Sequence, residues 1–204
     1  MKRLLWALVP LAMLASCGKS SERKILVVAN GDIAVTGQDV KITNISDGAV
    51  EKLVDLKNAD QTSFNVNNGG TSSTVQLPKE DGFYLLNLMK DTVFGSQLVD
   101  GRDYNAPEAL GLDKQKEMID SLKLVLQGKN ISEANKNYLV VPGQLIKVTD
   151  DLVHARIFGP FHQMNSDIEA PADGKPPVLY KFYSSDELQT RLQTVEESYN
   201  ATGD

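Results

Sequence analysis

The chain has 204 residues, one cysteine, 6% aromatic residues and a formal net charge of −6, from 21 Lys and Arg against 27 Asp and Glu. An acidic chain with no basic run longer than Arg23-Lys24 is a poor partner for nucleic acid or an anionic lipid surface, both of which reward clustered cations. A single cysteine excludes an internal disulfide, so the fold has to stand on its hydrophobic core.

At the N-terminus, Lys2 and Arg3 precede an apolar run from Leu4 to Leu14, followed by small Ala15 and Ser16. That order of charge, apolar run and small residues is the layout of a secretory signal peptide, here residues 1–16. A membrane-spanning helix needs about 20 apolar residues, and this run is broken sooner, at Ser16, Cys17, Gly18 and the polar stretch Lys19–Arg23. The tetrad Leu14-Ala15-Ser16-Cys17 resembles the lipobox of bacterial lipoprotein precursors. The resemblance covers the first 17 residues. It implies a thioether-linked lipid on Cys17, cleavage between Ser16 and Cys17, and acylation of the new amino group by a palmitate-like chain. Two or more acyl chains hold a protein firmly where one holds it only reversibly. The implied partner is therefore the membrane, through Cys17, and the implied place is the bacterial cell envelope. Gly18, standing where an aspartate would favour the inner membrane, points to the outer membrane, at its periplasmic or surface face. No family resemblance extends into residues 18–204.

Residues 17–23 read as the lipidated cysteine and a short tether, and residues 24–98 as a β-rich region. Ile25–Ala29 is a short β-branched run closed by Asn30-Gly31-Asp32; Val40–Thr43 alternates; Val50, Val54 and Leu56 share one face at period two. Phe64–Val66 is a further short strand, and Asn67-Asn68-Gly69-Gly70 supplies residues that tolerate positive φ in a hairpin. Thr74–Leu77, the break at Pro78–Gly82 and Phe83–Leu88 predict a strand–turn–strand, with Thr92–Phe94 continuing the sheet. Closely spaced short strands favour an antiparallel, sandwich-like arrangement. The stretch Leu77–Leu86 is similar to the tyrosine corner of immunoglobulin-like sandwiches, with Tyr84 two residues before the inward Leu86, although the inter-sheet cysteines and core tryptophan are absent.

Residues 99–200 read as an α+β region that either stands apart or packs with residues 24–98 as one domain. After polar Gly101–Pro107, the residues Met118, Ile119, Leu122, Val125 and Leu126 mark one face of a helix over 113–127, with Asp113 as its cap and Gly128 as its stop. Tyr138–Val141, Leu145–Thr149, Ala155–Phe158 and Val178–Tyr183 read as strands, and residues 165–177 as a loop. Ser184 and Glu187 form a capping-box pattern before a last helix over 185–199, whose face carries Leu188, Leu192 and Val195; Asn200–Asp204 should fray. The fold class is α+β.

The residues that could carry chemistry are few. His154 and His162 are the only histidines, and Asp150, Asp151 or Asp167 could join them, but no zinc-binding spacing is present. A Gly-x-Ser-x-Gly elbow and a phosphate-binding glycine loop are missing. Asp100, Asp103, Glu108 and Asp113 lack the EF-hand register. Pro142-Gly143-Gln144 and Gly159–Met164 could contact a partner or plug the sheet. Asp91-Thr92-Val93 and Asp120-Ser121-Leu122 resemble the short O-glycan acceptor motif of Bacteroidetes envelope proteins. The chain is therefore expected to be a lipid-anchored envelope protein without catalytic, cofactor or metal residues, acting as an interaction or assembly module on an envelope protein. The alternatives are a small-ligand binder, with a pocket between the β-rich part and the helix near 113–127, and an envelope hydrolase.

Overall fold

The computed structural model of the chain describes residues 22–45, 48–58, 60–98, 111–132, 134–162, 168 and 171–203. Cys17 and its cleavage site, Asp100, Asp103, Glu108, Asp167, Gln163 and Met164 lie outside the described residues. The elements run β1 (Arg23–Asn30), β2 (Asp32–Thr36), β3 (Asp39–Thr43), β4 (Ala49–Leu56), β5 (Ser63–Asn68) and β6 (Thr71–Gln76). They continue with β7 (Gly82–Leu88), β8 (Val93–Gln97), α1 (Leu112–Leu126), β9 (Asn137–Val140) and β10 (Leu145–Thr149). Last come β11 (Ala155–Phe158), β12 (Val178–Ser184) and α2 (Ser185–Gly203).

The strands form three four-stranded sheets, ordered β10-β7-β1-β4, β2-β3-β5-β6 and β11-β12-β8-β9. The first sheet is the middle layer. Alternate residues of a strand point to opposite faces, and β1 is apolar on both. Ile25, Val27 and Ala29 enter one core with Val40, Ile42, Phe64 and Val66 of the second sheet. Leu26 and Val28 enter another with Val93, Tyr138, Val140, Tyr180 and Phe182 of the third. Strand β7 does the same, sending Tyr84, Leu86 and Leu88 one way and Phe83 and Leu85 the other. At Gly95 of β8 the ring of Phe182 lies so close that an added Cβ would clash with it.

The α+β class and the sandwich-like stacking agree with the sequence. The pairing is mixed: each sheet holds one parallel pair, β1–β7, β3–β5 and β11–β12, and its other pairs are antiparallel. The reason lies in the connections. Thr74–Leu77 and Phe83–Leu88 do not form a hairpin, because the Pro78–Gly82 turn carries the chain from the second sheet into the first. Strand β2 escaped the pattern because its outward residues and half-buried Ile33 and Val35 give a weak alternation after the Asn30-Gly31 break. The Gly69-Gly70 hairpin is as expected, with φ of +59° and +88° joining β5 to β6. Strands from both sides of residue 99 share two sheets: β7 pairs with β10, and β8 with β9 and β12.

Three polar clasps hold the layers. The buried Arg23 guanidinium donates to the carbonyls of Asn58, Gln61 and Pro78 at 2.5, 2.9 and 2.8 Å, pinning two crossing loops to the start of β1. Tyr84 donates its hydroxyl to the Glu80 carbonyl at 2.8 Å, the bond of a tyrosine corner, here within a mixed sheet; burial raises its pKa. Asn87 is fully buried and spends its whole amide on backbone: it donates to the Asp91 and Val140 carbonyls at 2.9 and 2.8 Å and accepts from the Met89 N–H at 2.9 Å. Its own N–H donates to the Gln144 carbonyl, and its carbonyl accepts from Gly143, so Pro142-Gly143-Gln144 is a latched turn between the third sheet and the first.

Each buried backbone group left without its partner costs roughly 1–3 kcal/mol. Asn87→Ala should therefore cost about 2–4 kcal/mol in urea denaturation of residues 18–204. Leu53→Ala, at a position 53% exposed, should stay within about 0.5 kcal/mol. Equal effects would contradict the layer assignment.

Candidate functional site

The far face of the third sheet is apolar too, and the two helices cover it. Phe94, Tyr183, Val125 and Leu188 form its core, with Leu122, Leu126, Ile131 and Leu139 packed around them. Helix α1 buries Gln115, Ile119 and Val125, while Met118, Leu122 and Leu126 are half-buried, so the apolar stripe read from the sequence is only partly covered. Its N-cap is Gly111, without a side-chain hydrogen bond; Asp113 lies inside the first turn rather than capping it. At the other end, Gly128 N–H donates to the Val125 carbonyl and Lys129 N–H to that of Leu124, the Schellman pair that stops a helix.

Half of the capping box forms on α2: Glu187 N–H donates to Ser184 Oγ at 3.1 Å. The Glu187 carboxylate turns instead to the buried Lys181, 3.5 Å away. Burial raises the Glu187 pKa, against the pull of Lys181 and Arg191. Helix α2 continues to Gly203 where fraying was expected. Lys123 and Glu196, 2.7 Å apart, join the helices.

Between α1, α2 and β8 lies a cleft of about 410 Å³. Its floor is Phe94, Ser96 and Leu98 with Asn137 of β9; its wall is Met118, Ser121, Leu122 and Val125 of α1; Tyr183, Leu188 and Arg191 close the α2 end. Small-molecule sites occupy about 300–1,000 Å³ and are mainly apolar with a few placed polar groups. Lys114 and Glu117 meet at 2.6 Å on one rim. Arg191 lies 5.4 Å from the centre of the Tyr183 ring, which Lys181 also approaches at 5.2 Å. Asn135 and Asn137 are oriented by bonds to the Asn130 side chain and carbonyl. Ser121, exposed on the wall, belongs to one of the two glycan-like triplets; Thr92 of the other is half-buried between β7 and β8. No pattern in the sequence announced Ser96, Asn137 and Arg191 as neighbours, because the three come from different strands and a helix.

Neither histidine lines the cleft. His154 sits in a carboxylate clamp, with Nδ1 2.9 Å from Asp151 and Nε2 2.9 Å from Asp173. Of the two described carboxylates read as its neighbours, Asp151 is there, whereas Asp150 pairs with Lys147, raising the lysine's pKa. Asp173 comes from the loop before β12, and sequence spacing gave no sign of it. His162 meets Glu51 of β4. The loop behind it is held by Lys181, which donates to the Gly159 and His162 carbonyls at 2.7 and 3.0 Å and leaves Phe161 exposed. Among the described residues, no group of three or more His, Cys, Asp or Glu could hold a metal.

The hydrogen bonds to Asp173 and Asp151 raise the His154 pKa. The bond from His154 lowers that of Asp173. Burial alone would raise Asp151, but the N–H groups of His154 and Val153 and the His154 ring outweigh it. The clamp's contribution is therefore complete below the ordinary histidine value of about 6.5 and is lost as pH rises through the raised one. At the acid end it is lost as the two carboxylates protonate, below about pH 4. The melting-temperature difference between the wild type and His154→Ala should shrink steadily from pH 6 to pH 9. A constant difference would show that His154 acts by packing alone.

Compared with known proteins, the chain matches no family model, no curated protein and no solved structure.

Proposed function

We propose that this chain is a lipid-anchored, non-catalytic binding module of the bacterial cell envelope, tethered through Cys17, and that the cleft beneath α1 is its ligand site. The cleft carries the reading: it has the size and the apolar lining with a polar rim of a small-molecule site, and it lies against the helix where the sequence suggested a pocket. A hydrolase is disfavoured because the hydroxyls of Ser96 and Ser121 have no histidine beside them in the lining. The reading as a protein-interaction module draws on Phe161, 45% exposed on the loop anchored by Lys181, and crosslinking in cells would reveal such a partner. The envelope setting rests on Leu14–Cys17, with the outer membrane favoured by Gly18.

Two outcomes test this. Cys17→Ser should abolish labelling by a radioactive palmitate precursor and release the protein from the membrane fraction; an unmodified thiol in the membrane-bound mature chain would overturn the anchor. In thermal-shift screening of residues 18–204 against envelope metabolites, a ligand at about 100 times its Kd should stabilise the wild type by about 2.7 kcal/mol. Ser121→Trp places a large ring at the exposed wall of the cleft and should abolish that shift while leaving the unliganded melt in place. Ligands that stabilise both forms equally would place binding elsewhere.

A further inference from the structure

Resting on the cleft as the ligand site, we propose that it selects an uncharged polyol, a sugar ring with a short apolar group, through hydrogen bonds to Ser96, Asn137 and Ser121. Ser96 of β8 and Asn137 of β9 are cross-strand partners, both half-buried on the cleft floor. Directly opposed residues stand about 5 Å apart at their Cα atoms, so one ring reaches both. Asn137 donates its Nδ2 to the Asn130 carbonyl at 3.2 Å. A carbonyl only accepts, so the orientation of this amide is settled and Oδ1 is the atom left over. Asn135 spends its Nδ2 in the same way, on Asn130 Oδ1 at 2.6 Å. Among the described residues, nothing donates to these two oxygens, and the hydroxyls of Ser96 and of exposed Ser121 make no hydrogen bond.

Two oxygens that only accept, beside two hydroxyls, call for a ligand that brings several donors. A polyol brings them without charge. An ammonium brings them with one, but the carboxylate of the lining, Glu117, already closes on Lys114 at 2.6 Å. An anion fares no better, since Lys114 is engaged by Glu117 and Arg191 lies over the Tyr183 ring with its Nη2 buried. The polar groups with capacity to spare are thus the uncharged ones. Apolar surface within a ligand's reach is small: Met118 and Leu122 are half-buried, whereas Phe94, Leu98, Val125 and Leu188 are buried. Such a surface takes a short apolar group beside the ring.

The test is isothermal titration calorimetry of residues 18–204, which contain every described element, with hexyl β-D-glucopyranoside below its micelle-forming concentration. Three compounds with the same hexyl group separate the causes. The glucuronide carries a negative charge, the glucosaminide a positive one, and triethylene glycol monohexyl ether keeps acceptors but a single hydroxyl. The expected result is saturable one-to-one binding of the glucoside, with each of the three weaker by about tenfold or more. Ser96→Ala removes one hydrogen bond and should weaken the glucoside about fivefold, with the ether and the melt unchanged. Ser121→Trp should bind none of the four. A charged compound or the ether binding the wild type as tightly as the glucoside overturns the ligand class, and unchanged glucoside affinity in folded Ser96→Ala overturns the floor contact. If any of the four binds and Ser121→Trp blocks it, the cleft stands as the ligand site even then. Absence of glucoside binding to the folded wild type overturns the inference, and the metabolite screen with Ser121→Trp judges the cleft separately.

Discussion

Two neighbouring parallel strands, β1 and β7, are apolar on both faces, and every other layer answers to that. An eight-residue strand such as Arg23–Asn30, with Ile25, Val27, Val28 and Ala29 fully buried, cannot lie at a surface without exposing one of its two rows. Strands buried on both faces read as continuous apolar runs rather than alternating ones. The chain meets this requirement with a sheet on either side. The second sheet is free to be polar on its outer face, where Asp39, Lys41, Asn65 and Ser72 point to solvent. The third sheet is not free, because Phe94, Leu139 and Tyr183 are apolar on its far side and need the helices.

Such layering forces the chain to change sheet repeatedly, and each crossing brings backbone groups into places water does not reach. Arg23, Asn87 and Tyr138 meet that cost. The arginine holds three carbonyls of the crossing loops. The asparagine satisfies the departure from β7 and the end of β9. Tyr138 of the third sheet donates its hydroxyl to the Val148 carbonyl of the first at 2.8 Å, across the interface of two layers. A charge buried among carbonyls and an amide with every bond made are polar groups whose removal leaves unpaired partners, which gives them weight beyond their size.

Periodicity and turn chemistry made most elements legible: Ile25–Ala29, the Gly69-Gly70 hairpin, the strands after residue 137 and both helices can be read directly. The tyrosine corner at Tyr84 was legible because its bond to Glu80 is local. Sheet membership was not. Thr74–Leu77 and Phe83–Leu88 are separated by a turn of ordinary length, and nothing local says that it crosses between layers. The same holds for the site. The α1 stripe was readable, but its floor comes from β8 and β9 and its cation from α2, and only tertiary structure brings Ser96, Asn137 and Arg191 together. His154 shows the limit in small: Asp151, three residues away, was visible, whereas Asp173, nineteen away on another loop, was not.

The cleft follows from how the helices cover the third sheet. They pack on each other, joined by Lys123 and Glu196, and this leaves the β8 side, over Ser96 and Leu98, with half-buried Met118 and Leu122 above it. An apolar gap bordered by a few polar groups has the make-up of a small-molecule site. The most direct measurement is a backbone amide NMR titration of residues 18–204 with a ligand that stabilises the wild type but not Ser121→Trp. The expected result is a single saturable set of shifts confined to Phe94–Leu98, Lys114–Val125, Asn135, Asn137 and Leu188–Arg191. Shifts centred instead on β5 and β6, or none at a saturating ligand concentration in the folded protein, would contradict the cleft as the ligand site.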